Sequence, residues 1–357
     1  LALSGACRKV NGLLPALIAT KKAGQSAIIP QQNQPEAAML SGLPIQLASS
    51  LANICRSLNG GDPLPLLDTS MAPQSSNHDL DLAEVHGQYQ AKRALEIAAA
   101  GGHHMLMMGP PGTGKSMLAQ RLNTILPPMT EDEALSSASI RSVCQQPVNP
   151  GNWLERPFQS PHHTVSGIAL VGGGKNPRPG EISLAHNGVL FLDELAEFDR
   201  RSIEVLREPL ETGRIHISRA SAKAEFPAQF QLVAAMNPCP GGCDSIKACN
   251  CSADQLRRYR NKLSLPLLDR IDIQIELRRL DYRHLVRQEA EFCETSSVVR
   301  ERVQRARQLQ LVRQGYVNSR LNNRDLARFC SLQAGGKQVL ELAIEKLHLT
   351  ARSYHKL

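Results

Sequence analysis

The chain has 357 residues, 42% of them apolar and only 4% aromatic, with a formal net charge of +8. That length allows two or three domains with real cores. No run of about 18 uncharged apolar residues is present, so no membrane span is expected. No secretory signal pattern opens the chain, and Leu1 begins in mid-pattern, so the sequence reads as truncated at both ends. The basic excess favours a polyanionic partner, although many proteins carry such an excess harmlessly. Nine cysteines without a regular framework argue for a reducing cytoplasm and against disulfides.

In chain order, residues 1–60 alternate helix-like and strand-like stretches. A helix is predicted over Gly12–Ala23, stopped by Gly24. A short strand follows over Ala27–Pro30, and a second helix over Leu51–Leu58 is stopped by Asn59-Gly60-Gly61. Residues 61–82 are rich in Pro, Ser, Asp and Asn and read as a linker. Residues 83–280 read as an α/β nucleotide-binding domain with a parallel sheet. Residues 281–357 are charged and helically patterned, with helices predicted over 298–313, 323–330 and 338–347.

The most specific local signal is Gly109-Pro110-Pro111-Gly112-Thr113-Gly114-Lys115-Ser116, a complete G-x-x-x-x-G-K-S loop. It lies between a buried strand, Met105-Leu106-Met107-Met108, and a helix opening at Met117, the setting this motif requires. Glycines let backbone N–H groups turn toward a polyphosphate, and the helix N-terminus adds its positive end. Lys115 would reach the β- and γ-phosphates, and Ser116 would bind Mg²⁺.

The catalytic partners are sought at other strand ends. Val189-Leu190-Phe191-Leu192 reads as a buried strand ending in Asp193-Glu194. A carboxylate at the C-terminal end of a parallel strand points into the ligand crevice. Asp193 would hold Mg²⁺ and Glu194 would polarise the attacking water. A third strand, Gln229–Met236, ends at Asn237, which could orient that water or cap its own strand. Arg270, flanked by Leu267-Leu268 and Ile271, suits either an interface or a salt bridge with Asp269 or Asp272.

Two stretches bear on what an ATP-driven machine would move. A loop at about 158–180 contains His162, His163, Lys175 and Arg178 among glycines. Such a loop suits close approach to a phosphate backbone, or simply closes a ring. A helix is predicted over Arg200–Glu211. After it, Ile215 and Ile217 alternate with polar residues in strand period, giving a hairpin over about 214–226 with Arg219 and Lys223 at its tip. Two cations and no aromatic suit tracking phosphates better than stacking bases. Finally, Cys239, Cys243, Cys249 and Cys251 fall in one short turn-rich segment. Structural Zn²⁺, reduced thiols and a disulfide are its three readings.

The order of these pieces resembles the AAA+ ATPases, and most closely the ComM/YifB type within their magnesium-chelatase-like branch. The most specific shared stretches are Val85-His86-Gly87-Gln88, Arg178-Pro179-Gly180-Glu181-Ile182-Ser183-Leu184-Ala185-His186-Asn187-Gly188 and Ala235-Met236-Asn237-Pro238-Cys239-Pro240. The resemblance implies a P-loop domain with a helical lid, using ATP and Mg²⁺. Val85, His86 and Gly87 would line the adenine pocket, with Met117 adding to the nucleotide contacts. Asn237 would be sensor 1, Arg270 an arginine finger and Arg352 sensor 2. Residues 1–60 resemble part of a Lon-protease-like domain. Gly12-Leu13 is followed there by Leu14 where such a protease carries its lysine, so proteolysis is not expected. The implied function is a hexameric ATPase and helicase promoting branch migration on single-stranded or branched DNA during natural transformation. A chelatase subunit and a protein-remodelling ATPase are the alternatives.

Overall fold

A computed structural model describes residues 1–68, 80–147, 151–218, 223–243, 249–279 and 293–347. The strands are β1 (Ala27–Pro30), β2 (Ile45–Ala48), β3 (Met105–Met108), β4 (Phe158–Gln159), β5 (Gly172–Gly173) and β6 (Arg178–Pro179). They continue as β7 (Val189–Leu192), β8 (Arg214–Ser218), β9 (Lys223–Pro227), β10 (Gln231–Met236) and β11 (Ile273–Glu276). The central sheet has the order β11-β3-β10-β7-β4, and every pairing in it is parallel.

This sheet is covered on both faces, and its strand residues divide between the two layers in strand period. Leu106, Leu190, Leu192, Leu232 and Ala234 join one buried cluster with Phe198, Leu206, Ile215 and Ile217. Met105, Met107, Val189, Phe191, Val233 and Ala235 join the other, with Leu95, Leu118, Leu122 and Val303. Continuous apolar runs are what a doubly covered parallel strand needs. Each fully buried side chain of this size contributes roughly 1.5–3 kcal/mol relative to exposure.

The second layer includes the helices Tyr89–Gly101, Lys115–Ile125 and Ser296–Gln314. In Lys115–Ile125 the buried Leu118, Leu122 and Ile125 recur at helical spacing on one face. The long helix Ser296–Gln314 is tied to it by polar contacts. Ser296 Oγ lies 2.7 Å from Thr124 Oγ1, and Arg300 Nε donates to Thr124 O at 2.7 Å. Arg302 adds an ion pair to Glu96 at 2.8 Å.

Three expectations are corrected. The helix predicted over Arg200–Glu211 is two helices, Arg200–Glu204 and Arg207–Thr212. Pro209 has no N–H to give to Val205, which breaks the ladder there. The stretch 61–82 is not free linker throughout. Leu64 is buried, Leu67 N donates to Ile45 O at 2.9 Å on β2, and Leu82 belongs to the second core layer. The loop expected from 158 begins later, because Phe158 and Gln159 pair with β7 as the sheet's edge strand. Leu170, on the helix Gly167–Val171, is fully buried, so what projects is the short β5–β6 hairpin bearing the exposed Lys175 and Arg178.

The N-terminal segment pairs β1 with β2 in parallel and packs Leu17, Ile29, Leu40, Ile45 and Leu47 together. Its first helix, Leu13–Lys22, lies against the helix Glu131–Val143, where Leu14 and Met39 meet Ala138.

Gly188 shows how tight the joint between β4 and β7 is. A Cβ there would stand 2.0 Å from Pro157 O. Gly188→Ala is therefore expected to destabilise the protein by about 1–3 kcal/mol, read as a lowered denaturant midpoint. Gly335→Ala, in a helix with nothing within 4 Å of its Cβ, should leave the midpoint unchanged or raise it by up to about 1 kcal/mol. Equal effects of the two would contradict this packing.

Candidate active site

The phosphate loop leaves the C-terminal end of β3 and is stitched to both neighbouring strands. Gly109 N donates to Met236 O at 3.1 Å, and Leu277 N donates to Met108 O at 2.7 Å. Gly109 has no room for a side chain, since a Cβ would meet Leu277 O at 2.6 Å. Gly112 and Gly114 take positive φ values of 77° and 86°, which let the loop turn tightly at little steric cost. Thr113 Oγ1 donates to Pro110 O at 2.9 Å.

Lys115 is buried within the loop it closes. Its Nζ donates to Gly109 O (2.6 Å), Pro110 O (2.9 Å) and Asn237 Oδ1 (3.2 Å). Burial lowers its pKa, and the Asp193 and Glu194 carboxylates work in the other direction. Ser116 Oγ donates to Asp193 Oδ2 at 2.5 Å. That hydroxyl–carboxylate pair, one from the first turn of the helix Lys115–Ile125 and one from the end of β7, is the kind of hard oxygen donor set that Mg²⁺ takes.

Glu194 follows Asp193 with φ 51°, an uncommon conformation for a residue with a side chain. Asp193 Oδ1 accepts from its N–H at 2.9 Å. Its carboxylate lies 3.2 Å from His163 Nδ1. The His163 ring lies 4.1 Å from that of His162, tilted by 34°, and meets Phe198 edge-on at 6.4 Å. His162 and His163 read from sequence as loop or substrate contacts. His163 instead reaches the carboxylate expected to act as base, and no local pattern in the chain signals that pairing.

Asn237 stands between Lys115 and Tyr259, whose hydroxyl donates to Asn237 O at 3.0 Å. On the other side of the loop, Gly87 and Gln88 both take positive φ. Gln88 Nε2 donates to Thr113 O (3.3 Å) and Arg278 O (2.9 Å), holding Val85–Gln88 against the phosphate loop. Gln88 is a positioning residue that the sequence offered only as part of a motif. Val85 is buried and His86 exposed. Met117 O accepts from Arg121.

Arg270 lies away from this cluster. It pairs with Glu211, donates to Pro266 O at 2.6 Å and is largely buried. It lines a cavity of about 630 Å³ at the N-terminal ends of β3, β7 and β10, together with Arg156, Arg307 and Arg320. Lys223 is exposed at the start of β9. Arg219 and Arg352 fall outside the described residues.

The four clustered cysteines converge. Their sulfurs lie within 4.8 Å of one another, an arrangement that could hold a metal ion. No disulfide joins any of the nine cysteines in this structure. Burial raises the Cys239 pKa, but hydrogen bonds from Cys243, Cys249 and Cys251 outweigh it and bring the thiol down to about 7.

A phosphate loop, an Asp-Glu pair and an Asn gathered at three parallel strand ends are the groups that nucleoside triphosphate hydrolysis requires. Residues 81–285 match the family profile described as magnesium chelatase, subunit ChlI, and residues 293–357 match that of its C-terminal part. The chain belongs to the magnesium-chelatase-like AAA+ ATPases. Among its relatives, competence protein ComM of Haemophilus influenzae is 48% identical over 361 residues, covering 100% of this chain and 71% of that protein. YifB of Escherichia coli is 44% identical over 358 residues, covering 100% of this chain and 70% of YifB. The chloroplastic magnesium-chelatase subunit ChlI of Nicotiana tabacum is 28% identical over 156 residues, 38% of this chain and 37% of its own. Membership in this family implies use of ATP and Mg²⁺. No helix among the described residues is long and apolar enough to cross a membrane.

The geometry separates binding from turnover. Lys115→Ala should weaken ATP binding, whereas Glu194→Gln should keep it and lower kcat by roughly 10²-fold or more. His163→Ala should lower kcat by roughly 10- to 100-fold through a misplaced base, with nucleotide affinity unchanged in a titration with a fluorescent ATP analogue. Weaker affinity in His163→Ala, or full turnover in Glu194→Gln, would contradict these roles.

Proposed function

We propose that the protein is a cytoplasmic, ring-forming ATPase, hexameric when assembled, that moves single-stranded or branched DNA. In this reading it promotes branch migration in natural transformation and recombination. The observation that carries the reading is the β8–β9 hairpin. It sits in the chain between β7, which ends at Asp193, and β10, which ends at Asn237. Ile215 and Ile217 root it in the core layer shared with both strands, and Lys223 is exposed at its outer end. Movement of either strand end with nucleotide state would be passed to the exposed Lys223, with Arg219 as the second cation that the sequence offers there. The β5–β6 hairpin, with Lys175 and Arg178, rises from the same layer through Leu170 and offers a second grip on phosphate. Similarity over the whole chain to a protein named for competence supports this reading over the chelatase one, where the match is shorter and weaker.

In the mechanism we infer, the backbone N–H groups of Gly112–Ser116 and the Lys115 ammonium bind the triphosphate. Ser116 and Asp193 would hold Mg²⁺, which when bound supplies positive charge to the phosphate oxygens. Glu194, oriented by His163, takes a proton from the attacking water. Asn237, bonded to Lys115, fixes the position of that water. Val85, His86, Gly87 and Met117 flank the nucleoside side. Arg270 serves a neighbouring subunit: its own chain holds it on Glu211, and assembly exchanges that carboxylate for the neighbour's triphosphate. Arg352 would act on the same charge as sensor 2.

Two experiments test this. Arg270→Ala protein should bind ATP normally yet hydrolyse it poorly, and mixing with Lys115→Ala protein should restore part of the activity. Mixed assemblies that stay inactive while each variant still assembles would remove Arg270 from the neighbour's site. For DNA, Arg219→Ala with Lys223→Ala should weaken binding and lower its salt slope by roughly 0.7–0.9 for each phosphate no longer neutralised. Basal ATPase should be nearly intact and sequence preference unchanged, because cations on phosphates do not read bases. Unaltered binding across a salt titration would take the hairpin out of the DNA path.

A further inference from the structure

The four-cysteine cluster lies directly beside the phosphate loop, and its geometry suits one ion. Cys239 is fully buried, and Cys243, Cys249 and Cys251 are half-buried. A tetrahedral Zn²⁺ with bonds of about 2.3 Å sets its four sulfurs about 3.8 Å apart. Sulfurs within 4.8 Å of one another need only a small contraction to reach that. A multi-iron cluster is excluded by the same spacing, since its thiolates stand off on separate irons.

Two further observations point to thiolate ligands. Cys243 N donates to Cys239 Sγ at 3.2 Å, and Cys251 N donates to Cys249 Sγ at 3.4 Å. Backbone N–H groups aimed at sulfur stabilise the charged form and orient it toward a metal. Gly241 is enclosed by the same sulfurs. A Cβ there would meet Cys251 Sγ at 3.0 Å and Cys243 Sγ at 3.5 Å, so a side chain would crowd the space that the thiolates fill.

The surroundings say what such an ion would do. Cys239 follows Asn237-Pro238 at the end of β10. Cys251 precedes the helix Ala253–Arg260, which is capped by Ser252 and Gln255 and carries Tyr259 back to Asn237 O at 3.0 Å. Gly242, at φ 62°, faces the phosphate loop so closely that a Cβ would meet Pro111 Cγ and Cδ at 3.1 Å. Closing the four sulfurs on one ion therefore cross-links the strand that presents Asn237, the helix that braces it and a segment pressed on Pro111.

We propose that Cys239, Cys243, Cys249 and Cys251 bind one structural Zn²⁺ that clamps Asn237 and the phosphate loop in their nucleotide-binding arrangement. The clamp rests on the reading of Gly109–Ser116 as the ATP site, whereas the metal site stands without it.

The test uses the whole chain, with zinc measured by elemental analysis and nucleotide affinity by titration with a fluorescent ATP analogue. Wild-type protein should carry one Zn²⁺ per chain. Replacement with Co²⁺ should give the sulfur-to-cobalt charge-transfer bands and intense visible bands of a tetrahedral thiolate site. Cys249→Ser with Cys251→Ser should lose both the zinc and those bands, while Cys55→Ser and Cys330→Ser keep them. Lys115→Ala should keep its zinc although it binds nucleotide weakly. Removing zinc from folded wild-type protein with a chelator should weaken ATP binding several-fold, and adding Zn²⁺ back should restore it. Protein with no bound zinc and no cobalt spectrum overturns the metal site. Zinc that can be removed with no change in ATP affinity overturns the clamp alone. Stoichiometric zinc in a protein that binds no nucleotide overturns the ATP reading and leaves the metal site standing.

Discussion

The register of one parallel sheet is the constraint on which the rest depends. Met105–Met108 on β3 pairs in step with Val233–Met236 on β10 and with Ile273–Glu276 on β11, and β10 pairs in turn with β7. Because all of these strands run the same way, their C-terminal ends emerge together. Gly109 N reaches Met236 O at one such end, and Ser116, on the helix after the phosphate loop, reaches Asp193 at another. A one-residue slip of any strand would turn its side chains to the opposite layer and move its terminal polar residue out of the crevice. The core and the active site are thus set by the same pairing.

Around that frame the polar groups form a linked set. Lys115 bonds the loop carbonyls and Asn237, Asn237 is braced by Tyr259, and Glu194 is met by His163. His163 belongs to the segment leading from the edge strand β4 to the helix Gly167–Val171 and the β5–β6 hairpin. The cationic hairpin and the candidate base are therefore joined through one short helix and one side-chain pairing.

Much of this was legible in the chain. The strands Met105–Met108 and Val189–Leu192 are short apolar runs followed by the polar residues that a crevice needs, and both form as read. The helix Leu51–Leu58 also ends where its glycines say. What was not legible depends on contacts between distant segments. The His163–Glu194 pair crosses two strand ends. Arg270 invites a partner among its neighbouring aspartates, yet it pairs with Glu211, which the break near Pro209 and the turn into β8 bring within reach. Gln88 bonds Thr113 and Arg278 only because the fold returns both to one place. The four cysteines were visible, but their convergence and their closeness to Pro111 required the backbone path.

The proposed coupling of ATP hydrolysis in this crevice to DNA movement is open to direct measurement. Steady-state phosphate release by the whole chain, measured with Mg²⁺-ATP alone and then with a four-way DNA junction, tests it most directly. The account predicts a basal rate that rises severalfold as the junction saturates the protein, with the stimulation fading as salt screens the cations from the DNA phosphates. A rate that the junction leaves unchanged at low salt, or that rises only with a porphyrin or an unfolded protein present, would contradict it.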